Sequence, residues 1–134
     1  MSNAWYAKGK EKQLSATINL VSDTIKVMLV KNTYPQNLAT DEFVADISAY
    51  RLSTDQTLGS KSVTGGVFDA GDVTYSAVTA GDTSEGVVIY KDTGAEATSP
   101  LLMYIDTITG FPLATNGGDI VIQWDNGAYK IYAM

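Results

Sequence analysis

Gly86-Val87-Val88-Ile89-Tyr90-Lys91 and Leu101-Leu102-Met103-Tyr104-Ile105 are near-continuous apolar runs bounded by glycine, aspartate or proline. Short runs of this kind are what strands covered on both faces look like in sequence. They predict the interior of a sheet. A third run, Thr24 to Val30, places Ile25, Val27 and Leu29 on one face of a β-branched segment and predicts another strand, buried on at least one side. Asn32-Thr33-Tyr34-Pro35 ends it, since proline brings no N–H to a ladder and pushes its predecessor out of the helical region.

Around these strands the signals are shorter. Lys8 to Leu20 reads as a short helix or an irregular arm, with Ala7, Leu14 and Ile18 only loosely at helical spacing and Gly9 and Thr17 weakening it. Asp41 to Ile47 reads as one or two helical turns, with acidic residues at its start and Phe43 and Ile47 four apart. Ser48 to Leu52, Lys61 to Thr64 and Val73 to Ser76 read as brief strands between the turn signals Gly59, Gly65-Gly66 and Asp69-Ala70-Gly71-Asp72. At the C-terminus, alternating runs flank Asn126-Gly127, a dipeptide suited to a type I′ hairpin turn. That turn would set Trp124 opposite Tyr129, Ile122 opposite Ile131 and Ile120 opposite Ala133 on a core face. Seven to nine strands with little helix predict an all-β fold with minor helix: an antiparallel β-sandwich, jelly roll or small barrel. The 134 residues make one domain, with an N-terminal arm at 1–12 and a β core at 13–134.

Composition removes several classes of function. With 45% hydrophobic and 18% charged residues, the chain is too apolar to be disordered. Cysteine and histidine are both absent, which excludes disulfides, thiolate chemistry and the Ser-His-Asp and Cys-His arrangements. No enzyme, cofactor or metal site is expected. Net charge is −6, and the densest basic cluster is Lys8, Lys10 and Lys12, so nucleic acid is not an expected partner. No apolar run approaches a membrane span and the N-terminus carries no secretory signal, so no membrane partner is expected. Asp69, Asp72, Asp82 and Glu85 have the chemistry for an acid pair or calcium ligation, but Asp and Gly at such positions are first of all turn formers. Trp5 and Tyr6 stand out as aromatics in a charged segment that something must pin.

The order of short motifs along the chain is the remaining clue. It runs from Trp5-Tyr6-Ala7-Lys8-Gly9-Lys10-Glu11-Lys12 through Ser22 to Val27, Leu29-Val30, Tyr34, Asp46-Ile47 and Phe68-Asp69-Ala70. It continues through Asp72-Val73-Thr74 and Ile89 to Gly94, and ends with Ser99-Pro100-Leu101 to Asp106. In that order the chain resembles, nearly end to end, small virion structural proteins of tailed bacteriophages. It departs from their pattern at Tyr75, where they have tryptophan, and after Leu52, where theirs has a longer glycine-containing segment. The resemblance implies a protein made in the bacterial host cytoplasm and present in many copies on the virion. It implies a capsid decoration, or cement, role on the outside of the head, with the major capsid protein as partner. The alternative is a tail, neck or head-fibre component that binds a host receptor or joins virion parts. Decoration proteins commonly sit at local three-fold positions, so the resemblance also implies a homotrimer. Strands apolar on both faces ask for cover, which makes Tyr90 and Tyr104, with Trp5 and Tyr6 from the arm, the residues expected to meet a partner.

Overall fold

The computed structural model describes residues 4–35, 37, 39–65, 67–105, 113–122, 124 and 132–133. In chain order the elements are β1 (Ala4–Trp5), α1 (Ala7–Leu14), β2 (Ile25–Lys31) and two 3-10 turns (Val44–Asp46 and Ser48–Tyr50). Then follow β3 (Gln56–Thr57), β4 (Ser62–Thr64), β5 (Val67–Asp69), β6 (Val73–Tyr75), β7 (Thr83–Lys91) and β8 (Leu101–Ile105). The last are β9 (Leu113–Ala114), β10 (Ile120–Ile122) and β11 (Tyr132–Ala133). The fold is mostly β, wholly antiparallel in its described pairings, with one eight-residue helix.

One sheet dominates, in the order β1-β8-β7-β2-β3, with β9 added to β7. Its described strands run from one open edge to another and do not close into a barrel. The three apolar runs of the sequence lie side by side at its centre, Val27 facing Ile89 and Ile89 facing Met103. Because side chains alternate across a strand, the centre has two apolar faces. Ile25, Val27, Leu29, Val87, Ile89, Met103 and Ile105 belong to the first. There they pack with Phe68 of β5, Val73 and Tyr75 of β6 and Ile120 and Ile122 of β10, from two smaller sheets, β10-β6 and β11-β5-β4, and with Trp124 just beyond β10. Met28, Val30, Val88, Tyr90, Leu101 and Tyr104 belong to the other face, which Tyr6, Val44 and Ile47 cover. Full burial of one such aliphatic side chain is worth about 1.5–3 kcal/mol, so both layers matter to stability.

This second layer explains why only the end of the strand expected over Ser48 to Leu52 forms: Arg51 bridges Val30 and Leu52 N donates to Leu29 O at 2.9 Å, whereas Ser48–Tyr50 is a 3-10 turn. To cover Met28 and Val30, residues 44–50 lie over the sheet face before the chain reaches the edge of β2 at Arg51. Local bonds then satisfy its amides: Tyr50 N donates to Ile47 O at 3.0 Å and Arg51 N to Ser48 O at 3.3 Å. Asp46 supports the turn before it by accepting the N–H groups of Glu42 and Phe43 at 3.1 and 3.0 Å. The strands missing from the sequence reading, such as β1, β3 and β9, are two residues long and too short to show a period. The Asn126-Gly127 turn and the pairs with Tyr129 and Ile131 lie outside the described residues, but Ile120 and Ala133 are not the cross-strand pair expected: they lie in different sheets, Ile120 opposite Tyr75 and Ala133 opposite Val67. Of the strands beside it, β10 pairs with β6 and β11 with β5.

The N-terminal segment is not an arm set apart from the core. Ala4 and Trp5 form an edge strand on β8, Tyr6 N donates to Leu102 O at 3.0 Å, and the Tyr6 side chain is fully buried. α1 then runs against β8, which requires a residue without a side chain at the contact. A Cβ built on Gly9 would stand 2.5 Å from the Leu101 carbonyl oxygen and 3.0 Å from Leu102 Cα, both backbone atoms that cannot swing aside. The helix closes with two bonds, Ala16 N to Gln13 O at 3.1 Å and Thr17 N to Lys12 O at 2.9 Å, the pattern of a Schellman motif. Gly9→Ala should therefore destabilise the protein by about 1–3 kcal/mol, although alanine favours helices in isolation. Urea unfolding checks this; a stabilised Gly9→Ala variant would show that helix and strand are not in close contact.

Candidate functional site

The four aromatic residues expected to meet a partner have different fates. Tyr6, Tyr90 and Tyr104 are buried within the chain, and Trp5 is half-buried beside the sheet edge. The cover that β7 and β8 require thus comes from the chain's own Tyr6, Val44 and Ile47. The hydroxyls form ordered links. Tyr34 donates to Asp41 Oδ2 at 2.9 Å, which leaves its oxygen to accept from Tyr6 at 2.5 Å. Tyr75 donates to the Val27 carbonyl at 2.6 Å. Burial raises the ionisation of Tyr6, Tyr34, Tyr75 and Tyr90 above the ordinary tyrosine range.

Around the Tyr90 hydroxyl the chain assembles a polar hollow. Tyr90 sits next to the end of β7 and donates to Asp55 Oδ2. The same carboxylate is gripped by both prongs of Arg51, from Nε to Oδ1 and from Nη2 to Oδ2, each at 2.9 Å. Arg51 also reaches Glu96 through Nη1 at 2.7 Å, and Lys26 of β2 lies 3.2 Å from Asp92. With Val44, Thr54, Gly94, Ala95 and Ser99 these residues line a hollow of about 450 Å³ that opens to solvent.

The electrostatics follow from the geometry. Burial works against the Arg51 charge, but its bonds to Asp55 and Glu96 outweigh this and hold it more firmly protonated than usual. The Gly94 N–H, then Lys26, hold the Asp92 carboxyl below the ordinary range. Burial, then the bond to Asp55, keeps Tyr90 protonated. A fork of this kind fixes the plane of both partners, so the polar walls are rigid.

Among the described residues, no three of His, Cys, Asp and Glu are placed to hold a metal ion. Neither a family model nor a curated protein matches the chain. Asp69, Asp72, Asp82 and Glu85 are not part of the hollow. Asp72 lies between β5 and β6 and accepts the Trp124 N–H at 3.0 Å, while Asp82 lies 4.0 Å from Lys31 and its amide donates to Thr115 at 3.0 Å. Asp69 and Glu85 are half-buried strand residues in β5 and β7.

Of the hollow's polar groups, sequence reading singled out Tyr90 alone. One signal was available: Arg51 is the single arginine of the chain, with Asp55 four residues on. The ties to Tyr90 and Glu96, which are 39 and 45 residues further along, have no local signature.

Proposed function

We propose that the chain is a structural protein of a tailed-bacteriophage virion, a decoration or cement protein that binds the major capsid protein on the outside of the head and stabilises it. Made in the host cytoplasm, it acts by binding and not by catalysis, as a homotrimer on the particle. The observation that carries this reading is the ordered series of motifs from Trp5 to Asp106, which spans most of the chain. The geometry supports it at the N-terminal edge. There Leu14 is 78% exposed, and with Trp5, Lys10 and Gln13 it surrounds a small hollow of about 130 Å³. An apolar side chain as exposed as this, beside an open sheet edge, suits contact with another chain. With Tyr90 and Tyr104 turned inward, Trp5 and Leu14 are the groups to make it. We read the small sheets against the large one as an incomplete sandwich, a rigid body suited to such a role. A second reading, a tail, neck or head-fibre component that joins virion parts or binds a host surface, draws support from the polar hollow at Tyr90.

Light scattering should give about three times 14.3 kDa, with the association retained at high salt because apolar contacts are not screened. Leu14→Glu should reduce association while changing stability by no more than about 0.5 kcal/mol, since the side chain is exposed. Stained gels of particles should show copies in the hundreds. A monomer present in only a few copies per particle would defeat the decoration reading in favour of the second.

A further inference from the structure

The hollow beside Tyr90 offers more hydrogen-bonding capacity than its ion pairs consume. Arg51 has five N–H donors, two of which go to Asp55 and one to Glu96, and the Lys26 ammonium has three, one of which faces Asp92. Each carboxylate accepts about four bonds, so Asp92 and Glu96 at the rim also have positions to spare. Gly94 and Ala95, both exposed, add small apolar surface between these groups, while Val44 and the Tyr90 ring form its buried floor.

We propose that this hollow binds a neutral, hydroxyl-rich ligand, a saccharide unit in chemical class. Its volume of about 450 Å³ falls within the range of roughly 300–1,000 Å³ usual for small-molecule sites. Charge selects the ligand. Lys26 and Arg51 stand against Asp55, Asp92 and Glu96, so the walls sum to one negative charge, with every cation already paired. An anion would meet this net negative field. A cation could reach the spare oxygen positions of Asp92 and Glu96 but would stand beside Lys26 and Arg51, which already hold those carboxylates and repel it. A neutral polyol leaves all the pairs in place. Its vicinal hydroxyls match the paired oxygens of a carboxylate and the parallel N–H groups of a guanidinium, and its C–H groups can rest on the exposed Ala95. The Arg51–Asp55–Tyr90 links hold the walls before the ligand arrives, which lowers the ordering cost of binding.

This proposal rests on the hollow and not on either virion role, and its test is separate from particle mass and copy number. The full chain, labelled with nitrogen-15, would be titrated with glucose, galactose, maltose and the N-acetylglucosamine disaccharide, and separately with inorganic phosphate and glycine. At least one saccharide should produce saturable shifts at the Arg51 side chain, at the amides of Thr54 and Asp55 and at those of Asp92 to Glu96, with no such response to phosphate or glycine. Glu96→Ala, at the exposed rim, should weaken that saccharide about tenfold, the loss of one hydrogen bond to a charged group. Ala95→Leu should block the hollow and abolish the shifts without touching an ion pair. Circular dichroism would verify that both variants are folded. Absence of saturable shifts with all four saccharides, unchanged affinity in folded Glu96→Ala, or saturation by phosphate or glycine instead would each overturn the proposal.

Discussion

Asp55→Ala is expected to destabilise the protein by about 2–4 kcal/mol, less than the roughly 3–5 kcal/mol of a fully buried charge pair because Arg51 is 26% exposed and keeps Glu96. The Asp55 side chain is 9% exposed and serves two groups at once, the fork of Arg51 and the hydroxyl of Tyr90. Without it, Tyr90 keeps a buried donor with no acceptor there, and Arg51 retains only the half-exposed Glu96. Small domains hold about 5–15 kcal/mol in total, so the loss would be visible at once in urea or thermal unfolding. Removing both charges should cost less than twice this. In Asp55→Ala combined with Arg51→Met, no unpaired guanidinium remains, and the cycle should show a coupling of at least about 1 kcal/mol. Asp55→Ala within about 0.5 kcal/mol of the parent, the range of an ordinary surface substitution, would mean that the cluster does not hold the hollow together.

Alkaline unfolding should be unusually steep. Burial keeps the hydroxyls of Tyr6, Tyr75 and Tyr90 protonated in the fold, whereas in the unfolded chain they ionise near the ordinary value of 10.0. Their contribution is intact below that pH. Above it, the unfolded chain has released protons that the folded chain retains, so folding loses ground as pH rises toward the raised folded-state values. Each proton is worth about 1.4 kcal/mol per pH unit, or about 4 kcal/mol per unit for the three buried tyrosines together, and the half-buried Tyr34 adds in the same direction. A stability of about 5–15 kcal/mol would then be exhausted within about one to four units above pH 10. Growing negative charge on a chain already at −6 acts in the same direction. In a titration followed by tyrosinate absorbance and far-ultraviolet circular dichroism, these three groups should ionise together with loss of structure. Tyr75→Phe should flatten the dependence by about 1.4 kcal/mol per pH unit. Ionisation of all tyrosines near pH 10 with the fold intact would contradict the burial of their hydroxyls.

The sequence by itself determined the centre of this protein. Ile25–Lys31, Thr83–Lys91 and Leu101–Ile105 carry their strand character in their own composition, and residues apolar at both odd and even positions require cover on two faces wherever they are placed. It also determined the want of histidine and cysteine and the surplus of acid. The tertiary structure decided what provides that cover and what the polar residues are for. Trp5-Tyr6 looks like part of a loose arm because nothing nearby in sequence holds it, yet Tyr6 lies in the core through an approach of helix to strand that Gly9 permits. The 48–50 segment has β-prone residues but lies across a sheet face, and pairing with β2 starts only at Arg51. Arg51, Asp55, Tyr90 and Glu96 are four unremarkable letters until the loop before β3 meets the loop after β7. Alternation and turn chemistry act over a few residues and are written locally. Burial and ion pairing act across tens of residues, and only the folded chain brings those partners within reach.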